Sequence, residues 1–321
     1  MSEIIERTCG YCKSKNSKKL YPTYDIFGSD YFIQKCNVCK AYFLAPRPDE
    51  KKLSQAYDDS YYGEKEDKFN PFIEKVINVF RYRRAKRITD NLPLGAKILD
   101  IGCGNGRFLK YLLNFGKFEL YGTELEGNSA KRASEIPEIN LKIGLLKHDD
   151  FEENYFDAIS LFHVFEHLIE PKETLEIITK ILKPKGTLTI SFPNIDSWQA
   201  KIFKGKWLHL DPPRHLFFFK PKDFVLLAKT YGFQLEEKHF LSFEQNPFGW
   251  TQSILNCFYK KREVLFESLK GNKNYIKEFS RFNSLLQKLF FVFSFPLFAI
   301  FDIIESIFNK GATVEFRFKK I

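Results

Sequence analysis

Short apolar runs and helix-period segments alternate through the middle of the chain, the pattern of an α/β protein. Lys97–Ile101 reads as an apolar strand, followed by the glycine-rich stretch Gly102-Cys103-Gly104-Asn105-Gly106 and a helix. Residues 119–123 and 156–162 read as further strands, 174–182 as a helix, 183–186 as a turn and 187–192 as another strand. Residues 221–231 then form a helix ended by Gly232, and 233–241 a sixth strand. The next good strand is 312–319, so about seventy residues, 242–311, read as an insertion between the last two strands.

The most apolar stretch lies inside that insertion, at 285–308. Its uncharged run, 289–301, is thirteen residues long, with Lys288 before it and Asp302 and Glu305 after it. As helix it reaches about 20 Å, whereas a bilayer core of about 30 Å needs about twenty residues. Pro296 is expected to kink it. The expectation is a helix lying in a membrane interface rather than spanning, with packed helices or a cap over a site as the competing readings. Lys260, Lys261, Arg262, Lys270, Lys273, Lys277 and Arg281 precede it and form a basic surface suited to anionic headgroups.

At the other end, Cys9-Gly10-Tyr11-Cys12 and Cys36-Asn37-Val38-Cys39 are two CxxC pairs about two dozen residues apart. The doubled spacing reads as one tetrahedral zinc site with ligands Cys9, Cys12, Cys36 and Cys39; a redox thiol pair is the alternative. Residues 21–34 are aromatic and β-prone, as the hairpin of a zinc ribbon requires. So small a segment cannot bury enough core alone, so the metal is expected to serve folding. Residues 1–50 are therefore read as ribbon and 51–91 as a helical linker. The linker holds the aromatic cluster Tyr57, Tyr61 and Tyr62 and a helix, Pro71–Thr89, with Phe72, Val76, Val79 and Phe80 on one face. Arg81, Arg83, Arg84, Lys86 and Arg87 read as a solvated face rather than a phosphate contact.

Composition changes this picture only in part. With 321 residues, 44% hydrophobic and 28% charged, general disorder and fibrous folds are excluded, and one extended domain or two remain. The net charge of +10 favours an acidic partner, nucleic acid or an anionic membrane surface, without choosing between them. The polar, acidic start Met1-Ser2-Glu3-Ile4-Ile5-Glu6 has no apolar h-region, so the protein is expected in the cytoplasm, peripheral at the inner face of the membrane if the apolar segment docks. Disulfides are not expected there, which strengthens the zinc reading.

The central motifs resemble those of class I S-adenosylmethionine-dependent methyltransferases. The resemblance rests on Leu99-Asp100-Ile101-Gly102-Cys103-Gly104-Asn105-Gly106, Glu124, Phe156-Asp157, Phe162-His163-Val164-Phe165-Glu166-His167-Leu168 and Leu182-Lys183-Pro184-Lys185-Gly186, and it covers 92–242. It implies an α/β, Rossmann-like seven-stranded sheet over 92–241, completed by 312–321, with the last strand antiparallel. It also implies S-adenosylmethionine lying over the carboxyl ends of the first strands. Asp100, Gly102 and Gly104 would hold the methionine part, Glu124 the ribose, and His163 would flank the cofactor, with Cys103, Gly106 and Phe162 lining the same site. An acidic residue expected near the end of the third strand is replaced by Leu145 or Leu146, so adenine would rest on backbone and apolar contacts. A nicotinamide dehydrogenase would show G-x-G-x-x-G/A spacing instead, and a non-catalytic binding module does not need an intact turn. The ribbon followed by Pro46-Arg47-Pro48 is similar to that of bacterial zinc-ribbon methyltransferases of glycan and cell-surface biosynthesis.

Two constellations are candidates for chemistry. His209, Asp211, Arg214 and His215 fall within seven residues of a proline-fixed excursion after Phe192. A hydroxyl acceptor is a poor nucleophile at neutral pH, and a histidine can remove its proton as the methyl moves. His215 matches a histidine of zinc-module sugar methyltransferases and is the first choice for base, with His163 and His209 as alternatives. Arg214 would clamp a phosphate or carboxylate; otherwise Arg214 and His215 pin the loop through backbone carbonyls. His163, Glu166 and His167 could share a helical face, bind a divalent metal or supply the base, or simply satisfy a helix start. The expected acceptor is a small molecule, a sugar or a lipid-linked glycan, with RNA as the alternative. The tetrad Asn/Asp-Pro-Pro-Tyr/Phe common in enzymes of base nitrogens is replaced by His163-Val164-Phe165-Glu166, so nucleic acid is disfavoured.

Overall fold

The computed structural model describes residues 8–57 and 71–321, except for the side chains of 71–77 and 273. The chain's first residues, Tyr61 and Tyr62, and the side chains of Phe72, Val76 and Lys273 lie outside the described set. The chain divides into two compact units, one formed by Asn70–Phe192, Val225–Lys238 and Glu315–Ile321, the other by Met1–Phe69, Pro193–Phe224 and His239–Val314.

The first unit is built on seven strands: β4 (Lys97–Ile101), β5 (Glu119–Glu124), β6 (Ile139–Ile143), β7 (Phe156–Phe162), β8 (Leu182–Pro193), β10 (Phe233–His239) and β11 (Thr313–Lys320). Their order is β10-β11-β8-β7-β4-β5-β6. The pairs β4/β5, β4/β7, β5/β6 and β7/β8 are all parallel. Parallel strands are covered on both faces, which is why Ile98, Leu99, Ile159, Leu161 and Ile190 are all buried although they alternate in direction. The chain leaves β4 toward β5 on one side and returns to β7 on the other. The carboxyl end of β4 is thus the topological switch point, where open sheets of this kind bind ligands.

Two expected boundaries move. Residues 183–186, expected as a turn, are a bulge inside β8: Leu182 pairs with Phe156 and Thr187 with Ala158, leaving that run opposite Asp157 alone. Lys183 holds the bulge by an ion pair of 2.7 Å to Asp157. The helix before it starts earlier than expected, at Pro171, a residue suited to the first helical turn.

The second unit contains an antiparallel sheet, β1 (Ser17–Tyr24), β2 (Asp30–Cys36), β3 (Tyr42–Ala45) and β9 (Phe217–Phe218), in that order. The short β9 closes the edge of β3, pairing Phe217 with Phe43 and Phe218 with Tyr42. Tyr31, Ile33, Leu44, Trp207 and Phe218 share one apolar core. The buried guanidinium of Arg262 knots the unit together. It donates to Thr23 Oγ1 (3.1 Å), Gly205 O (3.0 Å) and Trp207 O (2.6 Å) and pairs with Glu263 at 2.5 Å. Gly205 lies so close to the first strand that a Cβ there would sit 1.9 Å from Pro22 O.

The insertion folds as helices, chiefly Asn246–Phe258 and Arg281–Ile307, the latter running through Pro296 for 27 residues. Their contact mixes aromatic and polar pairs: the Trp250 ring stacks on Phe298 at 5.7 Å and Phe248 meets Phe291 edge-on at 5.4 Å. Thr251 Oγ1 and Ser294 Oγ are 3.1 Å apart, Asn246 Nδ2 donates to Asp302 Oδ1 (2.6 Å), and Trp250 Nε1 donates to Glu305 Oε2 (3.1 Å).

Candidate active site

The site begins where β4 ends. Asp100 is buried, and the Ser160 hydroxyl donates to its Oδ1 at 2.6 Å. Burial pushes this carboxyl up to about 7, with the neighbouring Glu124 charge acting the same way, while Ser160 and Arg84 oppose the shift. The turn that follows places Gly102, Gly104 and Gly106 at φ of +69°, +59° and +73°, a left-handed path natural to glycine. The three differ in what surrounds them. A Cβ on Gly102 would lie 2.5 Å from Val164 Cγ2, and one on Gly106 2.8 Å from Ile139 Cδ1, but one on Gly104 would meet nothing within 4 Å. Gly102 and Gly106 are therefore packing glycines, and Gly104 borders open space.

Glu124, at the carboxyl end of β5, closes the turn: the Gly104 N–H donates to its Oε2 at 2.6 Å and the Leu125 N–H to its Oε1 at 3.1 Å. Burial still raises its carboxyl against these two donors. Cys103 is buried, and a Cβ on Gly122 would come within 2.7 Å of its sulfur, so this side chain packs the strand. At the end of β7, Phe162 meets Phe108 edge-on at 5.0 Å and carries the Arg84 guanidinium 4.6 Å from its ring centre. His163 follows at φ +55°, with Nδ1 3.3 Å from Glu166 Oε1, and Phe165–His167 is a single 3-10 turn. Asp100, the three glycines, Glu124, Phe162 and His163 thus all stand at the carboxyl ends of β4, β5 and β7. Leu145, beyond β6, is exposed.

The second constellation lies in the other unit. Arg214 is buried, and its guanidinium forks onto Asp211 at 2.5 and 2.9 Å, with a further bond to Ala56 O at 3.4 Å. The expected anion clamp is therefore engaged within its own loop. The His215 Nδ1–H donates to His209 O at 2.8 Å, which assigns the proton to that nitrogen and leaves Nε2 3.7 Å from Asp211 Oδ2. His209 lies edge-on to Trp207 at 5.5 Å and so close to Gly249 that a Cβ there would be 2.7 Å from its Nε2.

The four knuckle cysteines form one cluster, with their sulfurs within 4.8 Å of one another. Cys9 and Cys39 are 3.6 Å apart and Cys12 and Cys36 3.5 Å, too far for a disulfide bond. A tetrahedron with metal–sulfur bonds of about 2.3 Å has edges of about 3.8 Å, so the set fits a zinc-sized ion. Arg84 and Ser160, both close to Asp100 in effect, were not singled out by sequence as site residues. In the sequence nothing separates Arg84 from the rest of its basic run, which was expected as a solvated face; in the structure Arg84 and Arg87 both pair with Glu315, at 3.6 and 2.7 Å.

A sheet in this order, parallel from β8 through β7, β4 and β5 to β6, with a left-handed glycine turn and two buried carboxylates at its switch point, together with the family match, makes this a Rossmann-like methyltransferase that uses S-adenosylmethionine as methyl donor. Residues 74–238 match a family described as a methyltransferase domain, and the chain belongs to that family. It is 28% identical over 173 residues to a ubiquinone biosynthesis O-methyltransferase of Idiomarina loihiensis, covering 50% of this chain and 70% of that one. It is 24% identical over 214 residues to a demethylmenaquinone methyltransferase of Paenarthrobacter aurescens, covering 65% and 81%. Among solved structures, a Galdieria sulphuraria protein assigned as a sarcosine dimethylglycine methyltransferase shares the fold with a TM-score of 0.50 at 15% identity, over 83% of this chain and 97% of that one.

Proposed function

We propose that this methyltransferase transfers its methyl group to a hydroxyl of a small, lipid-borne acceptor, a hydroxylated quinone precursor or a lipid-linked sugar. The observation that carries the cofactor half of the reading is the open space at Gly104, beside a turn pinned by Glu124. Asp100, Gly102 and Gly104 hold the methionine part, Glu124 the ribose hydroxyls, and Phe162 and His163 flank the cofactor. The bound sulfonium supplies an electrophilic methyl. The chain's own work is to align the two reactants and remove the hydroxyl proton. The O-methyltransferase among the relatives supports oxygen as the acceptor atom.

His215 is the proposed base, because its Nδ1 proton is committed to His209 O and its Nε2 is left as the acceptor nitrogen. Asp211 and Arg214 hold the loop that carries it. Cys9, Cys12, Cys36 and Cys39 hold one structural zinc, a reading supported by four soft donors at tetrahedral spacing.

The test is transfer of labelled methyl from S-adenosylmethionine to a panel of a hydroxylated quinone, a lipid-linked sugar and RNA. Label in a methyl ether of either lipid acceptor is expected. Label in RNA, or in no acceptor, overturns the reading. His215→Ala should lower turnover by roughly 10²–10⁴-fold with cofactor affinity unchanged. A loss below about threefold moves the base to His163 or His209.

A further inference from the structure

The Arg281–Ile307 helix is built inside out. Its buried positions are Gln287, Ser294, Phe298, Asp302 and Glu305, four of them polar or charged. From Leu289 onward its exposed positions are apolar: Leu289, Val292, Phe293, Leu297, Ile300 and Ile307 all face solvent, Phe293 with 77% of its surface and Ile307 with 71%. A helix of a water-soluble protein turns its apolar stripe inward. Read linearly, Asp302 and Glu305 end the apolar run. In the structure both carboxylates point into the contact with the Asn246–Phe258 helix, so the outward face carries no charge from Leu289 to Ile307. That face is about 28 Å long at 1.5 Å per residue, a continuous apolar stripe of the kind that marks an interaction site. Among the described residues this is the one helix long and apolar enough to cross a membrane.

Charge selects the occupant. The exposed cations Arg281 and Lys288 sit on the helix's first turns, and Lys260 and Lys277 are exposed just before it. The exposed acid nearby, Glu278, is already paired with Lys261 at 3.3 Å. A second copy laid parallel on this face would set cation against cation, whereas anionic headgroups neutralise all four.

We infer that this face docks the protein on an anionic lipid bilayer, the helix lying at the headgroup–acyl boundary with its basic end in the headgroups. The inference holds whatever the acceptor is, and its test contains none.

The experiment is flotation of the full chain with vesicles of phosphatidylcholine and phosphatidylglycerol, against vesicles of phosphatidylcholine alone. Wild type should float with the anionic vesicles and at least about fivefold less with the neutral ones. Phe293→Asp/Ile300→Asp should lower partition at least about tenfold. Lys277→Glu/Arg281→Glu/Lys288→Glu should abolish the preference for anionic vesicles. Calorimetric affinity for S-adenosylmethionine should stay equal in all forms, which separates loss of docking from loss of fold. For wild type alone, hydrogen exchange should slow along 289–307 only when anionic vesicles are present. Wild type remaining soluble with both vesicles at low salt overturns the inference, as does equal flotation of the Asp variant. A dimer that Phe293→Asp makes monomeric, without flotation, assigns the face to a second copy instead.

Discussion

Asp100 and Glu305 are both buried carboxylates pushed up to about 7, chiefly by burial, yet their surroundings are opposite. Asp100 ends a strand that runs into a left-handed turn, and that turn leaves open space at Gly104. Glu305 is closed in, its Oε2 taking N–H groups from Trp250 at 3.1 Å and Gln199 at 3.5 Å. Burial alone therefore does not mark a binding site. A raised carboxyl becomes one where the backbone beside it has been cleared of side chains. In the helix pair the same shift accompanies a reversal of the ordinary inside and outside.

Three perturbations sharpen that contrast. Gly104→Val should have the largest effect, because it forces a branched side chain to φ near +59° and fills the cleared space. A loss of S-adenosylmethionine affinity of at least about a hundredfold is expected in calorimetry. Unchanged affinity would detach the turn from the cofactor. The second effect is on pH. The cofactor's cationic methionine part calls for an ionised Asp100, which near pH 7 is about half protonated before binding. Affinity should rise with pH through about 7 and level above it, being about tenfold weaker at pH 6 than at pH 8. Asp100→Asn should bind more weakly and flatten this profile; a pH slope that survives the substitution belongs to another group.

The smallest effect concerns Glu305. Its folded value, about 7, lies above its ordinary 4.5, so the unfolded chain ionises first as pH rises. Stability is undiminished below about 4.5, falls between about 4.5 and 7, and stays reduced above. Glu305→Gln should thus leave stability unchanged at pH 4 and raise it at pH 8, by on the order of 1 kcal/mol in urea denaturation. Destabilisation at pH 8 would mean that the helix contact requires the charge.

The turn after β4 and the carboxylates beside it were readable from sequence because their requirements are local. Only glycine follows that turn cheaply, and the carboxylates stand at fixed distances from strands with obvious apolar runs. The knuckle cysteines were readable for the same reason. The long helix was readable as a helix, but not which face turns inward. Gln287, Ser294, Asp302 and Glu305 line one side, and the ordinary rule would turn that side to solvent, whereas it is the buried one. Phe298 looks as free as Phe293 in the sequence, yet it is buried against the Trp250 ring at 5.7 Å. Nor could the sequence show that Phe217-Phe218, two residues of a loop, would complete the sheet of the ribbon. Arg214 looked available for an anion and is held by Asp211 three residues away, a pairing that depends on the left-handed backbone at Asp211.

That closing of the ribbon sets a timetable for the newborn chain. The four knuckle thiols have all been made by residue 39, but the strand that covers β3 arrives at 217 and the guanidinium that knots Thr23, Gly205 and Trp207 at 262. At about 5–20 residues per second, the wait from the first knuckle to Arg262 lasts on the order of ten seconds to a minute. Until residue 218 has been made, β3 carries an open edge, the kind of surface to which other chains add strands. A message cut short before codon 217 would yield a fragment that keeps its thiols together and its edge bare, and such fragments should be the aggregating species in cells making this protein.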